Sequence, residues 1–153
     1  MANTYSQVYI HTVFAVKYRS AVIGDAWRHR FLRIIGGLIN ESGCKTIVVN
    51  GVADHVHCLL GLKPVVSIAD LLRSVKAKSS KYVNEQRLTR GRFEWQEGYG
   101  VFSYSHSQLD TVSANVVNQE EHHKRYSFLE EYLALLKELS VQYDERYIFK
   151  DLV

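Results

Sequence analysis

Four consecutive residues, Asp54-His55-Val56-His57, have the spacing for metal chemistry. On a β-strand side chains alternate with period two, so His55 and His57 share one face. Val56, Cys58, Leu60 and Leu62 then share the other face, toward a core. Two neutral imidazoles side by side can ligate one divalent cation. Two ligands leave most of the coordination shell open, as a catalytic rather than a structural site requires. The plainer reading is a pair of strand histidines hydrogen-bonded to loops, and the spacing alone does not separate the two.

A second polar stripe lies in VSANVVNQEEHH, residues 112–123. Wound as a helix, it makes Asn115 and Gln119 neighbours at i, i+4, with His122 or His123 one turn on. If this helix leans over the strand face of His55 and His57, the Gln119 carbonyl oxygen is a third, hard ligand suited to Mg2+ or Mn2+. If not, the stripe is a solvated helix face. A third feature is basic. Arg73, Lys76, Lys78 and Lys81, followed by Arg87, Arg90 and Arg92, are interleaved further on with Phe93, Trp95 and Tyr99. Cations track phosphates and aromatic rings stack bases, so these residues, Arg90 and Arg92 included, are candidates for DNA binding. A solvated lysine face beside a structural tryptophan competes evenly with that reading.

The elements that must position these residues can be read from periodicity. Residues 7–18, QVYIHTVFAVKY, are apolar on both faces and predict a central strand. Asp25 opens a helix with Trp27, Phe31, Ile34, Ile35 and Leu38 inward, stopped near Gly43. Residues 44–52 and 55–62 predict two strands joined tightly at Ala53-Asp54. Ser67-x-x-Asp70 starts a long helix with Ile68, Leu71, Leu72, Val75, Ser79, Tyr82 and Val83 on one stripe. A loop over 88–100 leads to a fourth strand, 101–106. Ser107-x-x-Asp110 is expected to cap the next helix. Ser127-x-x-Glu130 is expected to cap a last one, with Phe128, Leu135, Leu136 and Leu139 inward. The order β-α-β-β-α-β followed by two helices predicts an α+β, ferredoxin-like antiparallel sheet with helices on one face plus two C-terminal helices. The other sheet face would be open to a ligand or partner.

The bulk numbers agree with one compact domain over 1–153. The chain has 153 residues, 46% hydrophobic and 23% charged, enough for a core and too few for two ordinary domains. No apolar run approaches the ~20 residues that span a bilayer, so no membrane segment is expected. No basic region followed by an apolar one opens the chain, and a cytoplasmic protein is expected. Cys44 and Cys58 form no spaced motif and read as buried thiols. A net charge of +3 is compatible with nucleic acid without pointing to it.

Several ordered blocks together go further than any single motif: GVADHVHCLL (51–60), SVKAKSSKYVNE (74–85), FEWQEGYGVFSYSHSQLDTV (93–112), VNQEEHHKRYSFLEEY (117–132) and YDERYIF (143–149). With these, the chain resembles the HUH-type single-tyrosine transposases of small bacterial insertion sequences and the related REP-associated tyrosine transposases. The resemblance runs almost end to end. It implies a homodimer that reads imperfect palindromes as single-stranded DNA hairpins. It implies Mg2+ or Mn2+ held by His55, His57 and Gln119. It implies a helix tyrosine, four residues before that glutamine, that attacks the scissile phosphate to leave a 5′-phosphotyrosine link and a free 3′-hydroxyl.

In that register this chain has Asn115. A carboxamide is not a practical nucleophile toward a phosphodiester, so the covalent step is expected to be absent. Tyr104, Tyr126 or a metal-activated water are the remaining routes to cleavage, ranked below simple loss. The rival from another class is a DNA-hairpin-binding protein or repressor with no catalysis.

Overall fold

The computed structural model describes residues 4–118, 128–138 and 141–142. Four strands, β1 (Tyr9–Ala15), β2 (Lys45–Gly51), β3 (His55–Gly61) and β4 (Gly100–Tyr104), form one antiparallel sheet in the order β2-β3-β1-β4. The helices are α1 (Asp25–Glu41), α2 (Ile68–Glu85), α3 (Leu109–Val117) and α4 (Phe128–Glu138). The β1-α1-β2-β3-α2-β4 order is the ferredoxin-like arrangement expected from the sequence.

The helices α1 and α2 close one face of the sheet. Trp27, Phe31, Leu32, Ile35 and Ile39 of α1 meet Phe14, Val56, Cys58 and Leu60 in one core with Leu71, Leu72, Val75 and Val83 of α2. The inward stripe of α1 is rotated slightly from the expected one: Leu32 and Ile39 are buried, while Ile34 and Leu38 are half-buried. Helix α2 starts where expected, with the Ser67 side chain accepting a hydrogen bond from the Asp70 amide at 3.3 Å. The stop after α1 also holds: Gly43 has φ +94°, a conformation that favours glycine.

The second sheet face is covered, not open. Val112 and Val116 of α3 pack on Leu59 of β3, and Tyr132 and Leu136 of α4 pack on Val13, Ala15 and Phe102. Odd-numbered residues of β1 and β3 are apolar apart from their histidines, so this face gains about 1.5–3 kcal/mol for each large side chain that a helix removes from water. The cap of α3 also differs from expectation. Ser105, rather than Ser107, forms a capping box with Gln108 around a short 3-10 turn, and α3 follows from Leu109. The expected cap at Ser127 and the inward Leu139 fall outside the described residues, as does the side chain of Phe128.

Candidate metal and nucleic-acid site

The β3 strand presents His55, His57 and Leu59 to the α3 side of the sheet, as the period-two pattern requires. The two imidazoles are not on an exposed face: His55 is 0% and His57 1% accessible. In register, Val13 of β1 lies opposite His57 and Ala15 opposite His55. The rings of His55 and His57 are 5.1 Å apart between centroids.

Each imidazole is oriented by a partner. His55 Nδ1 lies 2.7 Å from Asp54 Oδ1. His57 Nδ1 lies 2.8 Å from Nε2 of His11, whose ring stacks on it. A carboxylate on Nδ1 places the proton there and leaves the Nε2 lone pair as the ligating atom of His55. The same holds for His57 when it is the donor to His11. This donor set fits a divalent cation: two neutral nitrogens on one strand face, each oriented by an outer partner. Among the described residues no group of three or more His, Cys, Asp or Glu side chains could hold a metal ion. Gln119, His122, His123 and Tyr126 lie outside the described residues.

The local backbone explains how the pair is held. Gly51 closes β2 against the start of β3, and a Cβ there would come within 2.6 Å of the His55 carbonyl oxygen. The Val16 amide donates to the Asp54 carbonyl at 2.8 Å, and the Ile23 amide donates to that of Ala53 at 3.0 Å. Arg19 reaches the same corner. Burial lowers its guanidinium pKa, and the nearby Asp54 carboxylate opposes that shift.

Asn115 is exposed on α3, one residue before the buried Val116. The helix does lie over β2 and β3, the placement that the sequence reading required. Its last turn is tethered by Asn50, whose side-chain amide donates to the carbonyls of Val116 at 3.0 Å and Val117 at 2.9 Å. Asn50 sits directly opposite His57 in the sheet, so one residue links the end of α3 to the histidine strand. Tyr104 is on the same side, its ring 6.2 Å from that of His11. Burial, and then the Glu138 carboxylate, push its hydroxyl pKa up, which works against use as a nucleophile.

The basic candidates separate into two kinds. Arg73, Lys78 and Lys81 are exposed on α2, and Arg90 and Arg92 are exposed on the loop after it. Arg73 pairs with Asp70 at 2.8 Å, Lys81 with Glu85 at 3.7 Å and Arg92 with Glu94 at 3.6 Å. Lys76 is half-buried and donates to the carbonyls of Gln96 at 2.7 Å and Gly98 at 2.9 Å, holding the loop before β4. Desolvation lowers its pKa, with Glu97 opposing. Trp95 is structural: its indole donates to Ser79 Oγ at 2.9 Å and its ring stacks on Phe31.

His11, Asp54 and Asn50 had no role in the sequence reading. Asp54 stood in the motif itself, as a turn residue. Alternation in β1 places His11 on a face with Val13, but only the β1–β3 register brings it to His57.

Residues 4–119 match the family model described as "Transposase IS200 like". The chain belongs to this family. The transposase for insertion sequence element IS200 of Salmonella typhimurium is 29% identical over 129 residues, covering 81% of this chain and 80% of its own length. The ISDra2 transposase TnpA of Deinococcus radiodurans is 22% identical over 120 residues, covering 75% of this chain and 86% of its own. Among solved structures, one from Deinococcus radiodurans R1 superposes with a TM-score of 0.59 at 21% identity, covering 78% of this chain and 95% of its own. A REP-associated tyrosine transposase bound to a REP hairpin gives 0.57 at 12% identity, covering 95% of this chain and 96% of its own. At these identities the superpositions establish the fold of this IS200-like transposase. No helix among its described residues is long and apolar enough to cross a membrane.

Proposed function

We propose that this chain is a cytoplasmic, homodimeric, single-domain protein that binds single-stranded DNA hairpins of insertion-sequence ends. His55 and His57, with Gln119, would hold Mg2+ or Mn2+. The observation that carries the reading is the oriented imidazole pair beneath α3: Asp54 at 2.7 Å and His11 at 2.8 Å engage the two Nδ1 atoms. When bound, the cation would supply Lewis-acid stabilisation of charge on the scissile phosphate. Asp54 and His11 hold the ring planes and tautomers, and the covering helices exclude bulk water. Lys78, Lys81, Arg73, Arg90 and Arg92 would neutralise backbone phosphates. Half-buried Lys76 would support the loop between them.

The covalent step is lost at Asn115 in this reading. In the family reaction the phenol oxygen bonds to phosphorus as the 3′-oxygen leaves, yielding a 5′-phosphotyrosine and a 3′-hydroxyl. A carboxamide nitrogen is too weak a nucleophile for that exchange. The chain then acts as a DNA-hairpin-binding protein, a repressor or competitor of active transposases, and Asn115 itself is the specific observation that favours this form.

The test is a labelled hairpin strand with Mg2+ or Mn2+, resolved on a denaturing gel. The wild type is expected to bind without forming an adduct. Asn115→Tyr is expected to form one, and His57→Ala in that background to abolish it. An adduct with the wild type would refute the loss of the covalent step. No adduct with Asn115→Tyr would refute the assignment of position 115 or of the metal site.

A further inference from the structure

The turn after β1 is strained in a way that the histidine pair does not explain. Tyr18 and Arg19 are consecutive non-glycine residues at φ 59° and 51°. Such positions cost about 1 kcal/mol or more each and persist only where surrounding structure holds them. Backbone hydrogen bonds hold the segment, among them Val16 to Asp54, Lys17 to Glu94, Arg19 to Val16 and Ile23 to Ala53. The strain has a directional result. Arg19 turns back toward Asp54, and Tyr18 is presented outward at 58% exposure.

Tyr18 stands at a groove of about 480 Å³ between this turn and the loop after α2. Its walls carry Lys17, Arg90 and Arg92 against the Glu94 carboxylate, three cations to one anion. The Lys17 ammonium is 3.3 Å from Glu94 and 5.5 Å from the centroid of the Tyr18 ring. Val22, 39% exposed, adds an apolar surface beside them. An outward aromatic ring, an apolar wall and surplus positive charge match one ligand chemistry, a flat base joined to a phosphate.

We infer that this groove holds one unpaired nucleotide of a DNA strand, its base stacked on Tyr18 and its phosphate directed to Arg90 and Lys17. The inference rests on the DNA-binding reading above and adds a single-strand site to it. The turn that bears Tyr18 is tied to the histidine motif by the Val16 amide, which donates to the Asp54 carbonyl.

The experiment is fluorescence anisotropy with three labelled probes: an oligothymidine, a blunt hairpin, and the same hairpin with an oligothymidine tail. Tyr18→Ala is expected to weaken the oligothymidine and the tailed hairpin about ten-fold, leaving the blunt hairpin within about two-fold. Tyr18→Phe keeps the stacking face and is expected to bind like the wild type. Tyr18→Gly, which relaxes the left-handed backbone, is expected to show the same loss as Tyr18→Ala, separating stacking from folding. Arg90→Ala is expected to lower the log–log salt slope for oligothymidine by about 0.7. Wild-type affinity of Tyr18→Ala for the tailed probe, or equal loss on all three, overturns the groove and leaves hairpin binding intact. A wild type that binds none of the probes overturns both readings.

Discussion

Asp54 uses two of its oxygens for two tasks. Its carboxylate meets His55 Nδ1 at 2.7 Å, and its backbone carbonyl accepts the Val16 amide at 2.8 Å. Removing only the charge tests the first task while leaving the second in place. Asp54→Asn is expected to weaken Mn2+ binding about 10–100-fold, the usual cost of losing an outer partner of a ligating histidine. Isothermal titration of Mn2+ into the two proteins would measure it, and unchanged affinity would show that the carboxylate does not tune the pair. The histidine pair itself was legible from the sequence because strand periodicity is local. Its burial was not. His11 meets His57 across 46 positions of sequence, a contact that depends on strand register rather than on any neighbouring residue. Cys58 was read correctly as a buried thiol. Burial pushes its pKa up to about 12, with a smaller opposing effect from Thr12, so it is not a hidden nucleophile.

Among the elements, α3 carries most of what distinguishes this site. Val112 and Val116 face Leu59, and the last turn is held by Asn50 in addition to the Asn118 amide, which donates to the Ala114 carbonyl at 3.0 Å. The Asn50 tether comes from the residue opposite His57 in the sheet. Asn50→Ala removes two side-chain hydrogen bonds, each worth about 0.5–1.5 kcal/mol net. The variant is expected to lose about 1–2 kcal/mol of unfolding free energy in urea. It is also expected to show faster amide exchange at the C-terminal end of α3 than elsewhere. Uniform exchange along α3 would place the tether elsewhere. A helix was expected over 112–123, and α3 ends earlier, at Val117; its approach to the histidine strand was one of two open alternatives. The expectation of an open sheet face failed for a physical reason. Residues 7–18 are apolar on both faces, so Val13 and Ala15 of β1, with Phe102 of β4, need cover on this side too, and α4, distant in sequence, supplies it.

At the scale of the whole molecule, the two sides of the sheet differ in how they resist base. The α1–α2 side is aliphatic and aromatic, with half-buried Tyr82 packed against it and no fully buried phenol among its described core residues. The other side closes with Tyr132, buried against Phe102, and half-buried Tyr104. Burial raises the hydroxyl pKa of both above the ordinary 10.0, and Glu138 adds to the shift at Tyr104. A raised folded-state pKa means that the folded protein holds these protons more tightly than the unfolded chain. The resulting stability is complete below the unfolded value of 10.0 and is lost as pH rises through the folded values. Urea midpoints are therefore expected to fall as pH rises above about 10, with the absorbance change of phenolate formation lagging behind that of the unfolded chain. Tyr132→Phe removes one of the two groups and is expected to flatten part of that decline. Its hydroxyl is close-packed, since a Cβ at Gly100 would lie 2.6 Å from it, so the variant should be compared with the wild type by slope against pH rather than by absolute stability. An unchanged slope would show that the closure of this face by α4 does not depend on keeping the Tyr132 phenol neutral.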